Sequence, residues 1–455
     1  MNRPARHSDD HKNPMLPVFL TVFIDLIGFS ILIPVFPLLI ASPEFRVTPD
    51  SWTPSQGLIM LGFLQAVYPL CTFVAAPILG QMSDKFGRRP VLALSILGTA
   101  LGYAVFALGI GAKSIPLLFI GRAIDGVTGG NIAVAQAAIG DISNDQNRQK
   151  NFGLLGAAFG LGFIIGPYIG GRLSAPDRSF YGLFTTPDWF GATTPFWFAT
   201  ALCLINFALI LARFPETIAV LKRDHRIDLG TSVKNVVHGF ASPRLRIPLA
   251  ASFFFNAGFT FFTTFFGVYL ASKFGFTQDD TGDYFALVGL AIALSQTLVV
   301  PRMARALRDH QILKWSYFGL AFAMSGYFLA GSSWQMYAII PVFTFFNGLN
   351  MANQTSLISR SAEPGHQGEA MGISSSVMNL AQVPASILVG YISSSISSNM
   401  PLIVSTACIA AAGLVFVLFF RPTYVNDGPM GGHGGHGGPG GAGPGSGDGH
   451  VAQAH

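Results

Sequence analysis

Charge is what this 455-residue sequence has least of. Asp, Glu, Lys and Arg together make up 11% of it, against 51% apolar residues. Water-soluble domains carry about a quarter charged residues, so an ordinary soluble globule is excluded and lipid is the expected solvent. The positive excess is small, 27 basic against 22 acidic side chains. It gives no ground for a nucleic-acid surface and fits the basic loops of a membrane protein. Cysteine is nearly absent: Cys71, Cys203 and Cys408 fall in three separate apolar runs. That leaves no disulfide framework and no thiolate metal site, only small packing residues. No Walker loop, His/Glu metal cluster or Ser nucleophile motif occurs. ATP coupling is thereby excluded, a membrane enzyme is disfavoured, and neither a cofactor nor a metal is expected. The ten histidines fall outside the apolar runs, in arms, loops or the tail.

What the chain has instead is long apolar runs. Twelve are found, near 16–40, 57–79, 91–111, 116–139, 152–173, 193–213, 247–271, 284–304, 315–331, 334–357, 368–392 and 400–420. Most approach the ~20 residues that a spanning helix needs. The first is too long for a signal-peptide core and lacks a small-residue cleavage site, so it reads as an uncleaved helix. The expected fold is an all-α membrane protein of twelve transmembrane helices in two six-helix bundles. Its divisions are a cytoplasmic arm (1–15), a first bundle (16–213), a cytoplasmic central loop (214–246), a second bundle (247–421) and a Gly/His-rich tail (422–455). With the N-terminus in the cytoplasm, 21 of the 27 Lys and Arg fall on the cytoplasmic side, five outside, and Arg122 inside a run. Lys and Arg concentrate on the cytoplasmic side of membrane proteins, so both termini are expected there. The tail carries His433, His436, His450 and His455 among glycines. A weak metal grip is one reading of it; a disordered, solvated tail is the preferred one.

Two short charged stretches stand out against this background. Gly80-Gln-Met-Ser-Asp-Lys-Phe-Gly-Arg-Arg-Pro90 joins the second and third runs. Read as a loop of about ten residues, it forces the flanking helices to be antiparallel neighbours, with Gly80 and Gly87 supplying the turns and Pro90 suiting a first helical turn. Asp84, Lys85, Arg88 and Arg89 make it a charge cluster at a membrane face. Setting topology is the simplest role for such charges, but the order G-x-x-x-D-x-x-G-R-R-P is more particular than topology requires. It resembles the signature between helices 2 and 3 of the major facilitator superfamily. The Arg213-Phe-Pro-Glu-Thr217 stretch resembles the end of a six-helix half in that family, with a worn echo at Arg421-Pro-Thr423. Pro301-Arg-Met-Ala-Arg305 through Arg308-Asp309 weakly repeats the charged stretch in the second half. Two related halves imply a parallel repeat with the working site between them near the bilayer midplane. By the same resemblance, Asp84 latches onto helix 11 when the cytoplasmic side is closed.

Ionisable groups deep in a membrane cost about 2.5–3.5 kcal/mol each on the insertion scale and are functional candidates by default. Three qualify here: Asp25 in the first run, and Arg122 and Asp125 in the fourth. Asp25 opens the pattern D-x-x-G-x-x-x-x-x-P-x-x-P through Gly28, Pro34 and Pro37. A carboxylate there can take up and release a proton when its accessibility changes; a static pair with Arg122 is the plainer alternative. The pattern resembles helix 1 of drug/proton antiporters, especially the tetracycline exporters. Arg122 and Asp125, three apart on one helix face, can pair and so lower the cost of burying either. Gly121-Arg-Ala-Ile-Asp125-Gly through Gly129-Gly-Asn131 resembles the family's buried-arginine motif, which implies a part for Arg122 in proton coupling. Asp125 departs from the small residue expected there. It is either a structural counter-ion or a second titrating carboxylate.

The fifth run places Gly162, Gly166 and Gly170 at intervals of four, with Pro167 and Gly171 among them. Such spacing permits close approach of another helix and a bend. The ending G-P-x-x-G-G resembles the antiporter motif of the drug/proton group. The segment misses the dinucleotide fingerprint by one residue and follows no strand, so that reading is discarded. Buried amides are the remaining candidates. Asn347, Asn350 and Gln354 share a face of run ten, and Asn379 and Gln382 of run eleven. Gln65, Asn131, Gln136, Asn256, Gln296, Asn347, Asn350 and Gln382 form the expected substrate set. Any one of them is equally explained as interhelical glue. Phe253, Phe254, Phe255, Phe259, Phe261 and Phe262 suggest a partly aromatic wall.

The resemblance to tetracycline exporters covers about 19–171 and then fades. Those exporters carry a His in helix 8 and an Asp in helix 9. Here the corresponding stretches, Ala286–Gln296 and Tyr317–Ser325, hold no ionisable group. A tetracycline–metal chelate is therefore not the expected cargo, while proton antiport is untouched because its carboxylates lie in the first half. The implied function is a secondary transporter of the bacterial inner membrane, exporting an amphipathic small molecule against protons and working as a monomer in lipid. The alternatives are metabolite uptake on the same fold, which run five argues against, and a non-transporting receptor, which has no use for Asp25.

Overall fold

The computed structural model describes residues 15–42, 44–143, 148–177, 185–218, 221, 227–363, 366–395 and 399–422. The N-terminal arm and the Gly/His tail lie outside the described residues. The first half comprises α1 (Met15–Ser30), α2 (Leu32–Ala41), α3 (Pro54–Phe86), α4 (Arg88–Gly111), α5 (Ile115–Thr128), α6 (Asn131–Ile142), α7 (Arg148–Leu173) and α8 (Thr194–Arg213). A short helix α9 (Thr231–Ala241) follows. The second half comprises α10 (Arg246–Phe274), α11 (Gln278–Leu294), a π turn (Ser295–Val299), α12 (Val300–Ala306), α13 (Asp309–Leu329), α14 (Ser333–Ser361), α15 (Gln367–Ser395) and α16 (Met400–Phe419). Each of the twelve apolar runs coincides with one long helix or with consecutive helical segments. Among the described residues, nine helical segments are long and apolar enough to cross a membrane by length and composition. Three more long helices, α7, α13 and α14, pack among them.

Proline and glycine stand where spanning helices are interrupted. Pro34 has no N–H for the Ser30 carbonyl, and α1 gives way to α2 at that point. Pro37 frees the Ile33 carbonyl in the same way. Gly267 of α10 approaches that oxygen so closely that a Cβ there would stand 2.6 Å from it. Gly129 and Gly130 divide α5 from α6, and Pro301, with no N–H for the Thr297 carbonyl, lies just past the π turn.

One apolar core is built around Val22, Leu64, Phe106 and Phe196 of the first half and reaches Phe261 and Val389 of the second; another is built around Phe262, Phe266, Tyr284 and Tyr327. The halves meet where α3 packs on α15, α7 on α11 and α2 on α10. Their closest approaches fall on the face opposite Gly87. There Gly62 abuts Ser386 and Gly390, Gly171 abuts Gln278, and the Ser55 hydroxyl donates to the Ser394 carbonyl at 3.1 Å. Arg172 of α7 ties the same face to α11 through Asp283 at 2.8 Å and Asp279 at 3.5 Å. On the face that carries Gly87, a Cβ on Gly80, Gly140, Gly368 or Gly372 would meet nothing within 4 Å. The glycine contacts and ion pairs between the halves named above lie on the face opposite Gly87.

Three local readings of the sequence need correction. The stretch 80–90 is not a ten-residue loop: α3 continues helically to Phe86, and the whole turn is the single residue Gly87 at φ +105°. Gly80 supplies no turn, because its polar neighbours extend a 33-residue helix past the membrane into water. That conformation of Gly87 strains any residue with a Cβ. The central loop, too, contains α9. Val233, Val236, Val237 and Phe240 recur at helical spacing, and Val233 and Val237 stay exposed, as on a helix lying at a membrane surface. Pro77 leaves the Phe73 carbonyl without its helical donor, and Ser232 of α9 donates to it at 2.5 Å. Gln81 donates to the Thr231 hydroxyl at 3.0 Å and accepts from the Asp228 N–H at 2.8 Å. At the far end of α9, Gly239 packs on Leu249 and Ile373. The linker helix thus touches both halves. Beside it, Lys234 at 2.5 Å and the Gly230 N–H hold the Asp228 carboxyl below its ordinary range. His310 is also not in a loop: it lies buried in the first turn of α13, its ring against Phe420.

Candidate functional site

The first half gathers its few deep ionisable groups into one cluster. Asp25 of α1 is 6% exposed, Arg122 and Asp125 of α5 are 2% and 3% exposed, and Asn131 at the start of α6 is fully buried. Arg122 donates to Asp125 Oδ2 at 3.1 Å, as expected from their spacing. Its other terminal nitrogen donates to Gln65 Oε1 at 3.4 Å, and its guanidinium lies 4.8 Å from the Tyr68 ring centre. The sequence reading missed Tyr68, although its spacing of three from Gln65 puts both on one face of α3.

Asp25 makes no ion pair with Arg122 in this arrangement. It lies within electrostatic reach of Asp125, and Asn131 faces it without reaching hydrogen-bond geometry. Among the described residues, Asp25 Oδ2 and both amide atoms of Asn131 lack a hydrogen-bond partner. Most buried polar atoms are paired, so these unpaired atoms set the Asp25–Asn131 contact apart from the Arg122–Asp125 pair beside it. Gly28, one turn from Asp25, makes room for Tyr103. A Cβ at 28 would stand 1.7 Å from the Tyr103 hydroxyl oxygen.

The glycine ladder of α7 holds the helix that bears Asp25. A Cβ on Gly162 would be 2.5 Å from Leu26 Cβ, and one on Gly170 would be 2.6 Å from the Ile31 carbonyl. Ser30 of α1 donates to the Gly162 carbonyl at 3.1 Å. Gly171 instead faces α11 in the other half, and Pro167 packs its carbonyl on Gly282. A Cβ on Gly166 would meet Ser30 Oγ at 1.9 Å and the Ile27 backbone near 3 Å. Gly166→Val is accordingly expected to lower stability by about 1–3 kcal/mol through overpacking. The melting temperature in detergent should fall, while Gly368→Val, placed in open space, should leave it unchanged.

The charged motif forms a second cluster at one membrane face. Arg88 pairs with Asp84 at 2.7 Å and with Asp141 of α6 at 3.0 Å, and its guanidinium also reaches Ser83. Glu216 accepts from the N–H groups of Arg88 at 2.8 Å and Arg89 at 3.2 Å. It thereby caps the start of α4, where an anion is favoured. The Arg89 side chain reaches the Leu211 carbonyl. Asp141 and Glu216 were missed as partners because they lie more than 50 residues from Arg88, and sequence spacing carries no signal at that distance.

The candidate amides of the second half are placed differently from one another. Asn350 exchanges hydrogen bonds with Ser316 and donates to the Phe346 carbonyl, and Gln354 donates to the Tyr317 hydroxyl at 2.9 Å. Asn256 donates to Ser252 one turn back. Asn347 is buried beside Met351 with its Oδ1 unpaired. Asn379 is 7% exposed, while Gln136, Gln296 and Gln382 are half-buried, Gln296 inside the π turn. Phe255, Phe261 and Phe262 belong to the apolar cores, and Phe253, Phe254 and Phe259 are half-buried.

Two helical bundles that meet along a few helices, one of them enclosing a buried carboxylate cluster, define a membrane transporter rather than an enzyme. The chain belongs to the Major Facilitator Superfamily, whose family model matches residues 18–386. It is 29% identical over 381 residues to the Tetracycline resistance protein, class H, of Pasteurella multocida, covering 82% of this chain and 88% of that protein. With the Multidrug resistance protein 1 of Bacillus subtilis (strain 168) it shares 26% identity over 424 residues, 91% of this chain and 99% of that one. Among solved structures, the human organic anion transporter MFSD10 (TETRAN) superposes with a TM-score of 0.69 at 20% identity, covering 90% of this chain and 100% of that one. A D-xylose-proton symporter gives 0.70 at 16% identity, covering 90% and 97%. The similarity to tetracycline resistance proteins thus runs well beyond the four motifs of the first half, which are only its most legible part.

Proposed function

We propose that this protein is a proton-coupled antiporter that exports an amphipathic organic compound by alternating access between its two halves, 16–213 and 247–421. The observation that carries this reading is the buried cluster around Asp25. A carboxylate lacking a full set of protein partners, next to a paired Arg122–Asp125 couple and an unsatisfied Asn131, suits reversible proton binding. Asp25 is the carrier in this reading, Arg122 and Asp125 tune it, and Gln65 and Asn131 line its surroundings. The half-buried Gln136, Gln296 and Gln382, with Asn256 and Asn347, supply neutral hydrogen-bonding groups for the cargo. Asn350 serves mainly to hold α13 against α14. The glycines of α7 let α1 and α11 rock closely against it. Resemblance to resistance proteins of bacteria and the charge asymmetry of the loops support a multi-pass protein of the inner membrane, both termini cytoplasmic, acting as a monomer. A panel of labelled amphipathic compounds in inside-out vesicles tests the reading. At least one compound should accumulate only while the pH gradient stands. Accumulation untouched by collapsing the gradient would refute proton coupling.

The charged turn at Gly87 fits a cytoplasmic gate. Asp84 pairs with Arg88 within the motif at 2.7 Å. When the halves close, Asp84 can move to the positive N-terminal end of α15. Asp84→Asn weakens that latch, while Arg88 keeps its pair with Asp141. Turnover is expected to fall several-fold. Spin labels on the last turn of α3 and the first turn of α15 should report a larger long-distance population. An unchanged distance distribution with normal turnover would reduce the motif to a topology signal.

A further inference from the structure

Some basic residues at the face that carries Gly87 are neutralised from within. Arg88 holds Asp84 and Asp141, Arg360 lies 3.4 Å from Asp309, and Lys234 holds Asp228. Three arginines without a carboxylate partner among the described residues share one pocket. Arg244 and Arg246, at the entry to α10, and Arg421, just past α16, converge on a single pocket of about 410 Å³. No acidic side chain among the described residues lines it. Among the described residues, none of the three guanidinium groups has a carboxylate partner. Three like charges sharing one concavity repel each other, and an anion between them would relieve that cost.

The rest of the lining says what kind of anion. Pro243, Pro248 and Phe419 make the pocket partly apolar, and Leu418 and Phe419 flank it at 63% and 60% exposure. Both α10 and α16 are long and apolar enough to span a membrane, so the pocket lies where those spans reach the membrane boundary. Their exposed apolar ends point to acyl chains alongside rather than water. Guanidinium forks match the paired oxygens of a phosphate, and basic pockets between spanning helices are a recurring site for lipid headgroups.

We propose that this pocket binds the phosphate headgroup of an anionic membrane lipid, stapling the start of α10 to the end of α16. The test uses the full-length protein in detergent, titrated with phosphatidylglycerol, phosphatidylcholine or inorganic phosphate, with native mass spectrometry counting retained lipid. Phosphatidylglycerol should be retained about tenfold more tightly than phosphatidylcholine, and millimolar inorganic phosphate should not displace it. The triple change R244Q/R246Q/R421Q should erase that preference. Arg421 lies outside the last helix, so R421Q alone, expected to weaken retention several-fold, keeps the test open if the triple variant does not fold. Equal retention of both lipids by the unaltered protein, or undiminished phosphatidylglycerol retention in the variants, would overturn the site. Full displacement by inorganic phosphate would assign the pocket to a soluble anion instead.

Discussion

Asp25→Asn is expected to reduce pH-gradient-driven transport to background while the protein stays folded in the membrane. Asparagine keeps the shape of the side chain and its place among Leu26, Asn131 and the α7 ladder, so packing is unaltered. What disappears is the capacity to carry a proton across the change of access. Exchange of substrate for substrate, which moves no net proton, should survive. The pair of assays separates loss of coupling from loss of structure, because a misfolded protein would fail both. Full gradient-driven transport by the variant would remove Asp25 from the mechanism.

The second large effect concerns the Arg122–Asp125 pair. Both side chains are buried, at 2% and 3% exposure, and 3.1 Å apart. Removing one member of such a pair strands the other charge, at a cost of about 3–5 kcal/mol. Asp125→Asn leaves the Arg122 cation with only Gln65 and Tyr68, and folded yield and melting temperature should drop sharply. Arg122→Met alone strands Asp125 close to Asp25 and should also destabilise. The double variant removes both charges and should recover much of the loss, with a coupling of about 0.5–3 kcal/mol in a double-mutant cycle. Additive losses would mean that the two residues act independently. Recovered stability without recovered transport would place the pair in the coupling machinery and not only in the scaffold.

The sequence made legible those features that depend on composition or short spacing. Apolar length revealed every long helix, and a spacing of three exposed the Arg122–Asp125 pair. Glycines at intervals of four announced that another helix approaches α7 closely, whereas the break of the first span ahead of Pro34 was not read from the sequence. Other features were hidden for physical reasons. A charged stretch between apolar runs looks like a loop, yet α3 runs through it to Gly87 because helical backbone can stay paired in water as well as in lipid. The α9 helix was lost inside a polar segment because its apolar stripe is only four residues. Tertiary partners such as Glu216 on the Arg88 N–H, Ser232 on the Phe73 carbonyl and Arg172 on Asp283 join distant segments. Pro77 was the one available hint, since it leaves the Phe73 oxygen in want of a donor. The amides of the second half show the limit of pattern reading: equal spacing on α14 placed Asn350 in a structural bond and left Asn347 with an unpaired oxygen.

The most direct test of proton antiport measures both fluxes at once. Purified protein in vesicles carrying an imposed pH gradient and an internal pH-sensitive dye is challenged with a compound identified by the transport panel. Substrate entering the acidic lumen should be matched by protons leaving it, seen as dye recovery that requires both the compound and Asp25. Substrate accumulation with no accompanying proton movement, or proton movement that persists unchanged in Asp25→Asn, would contradict it.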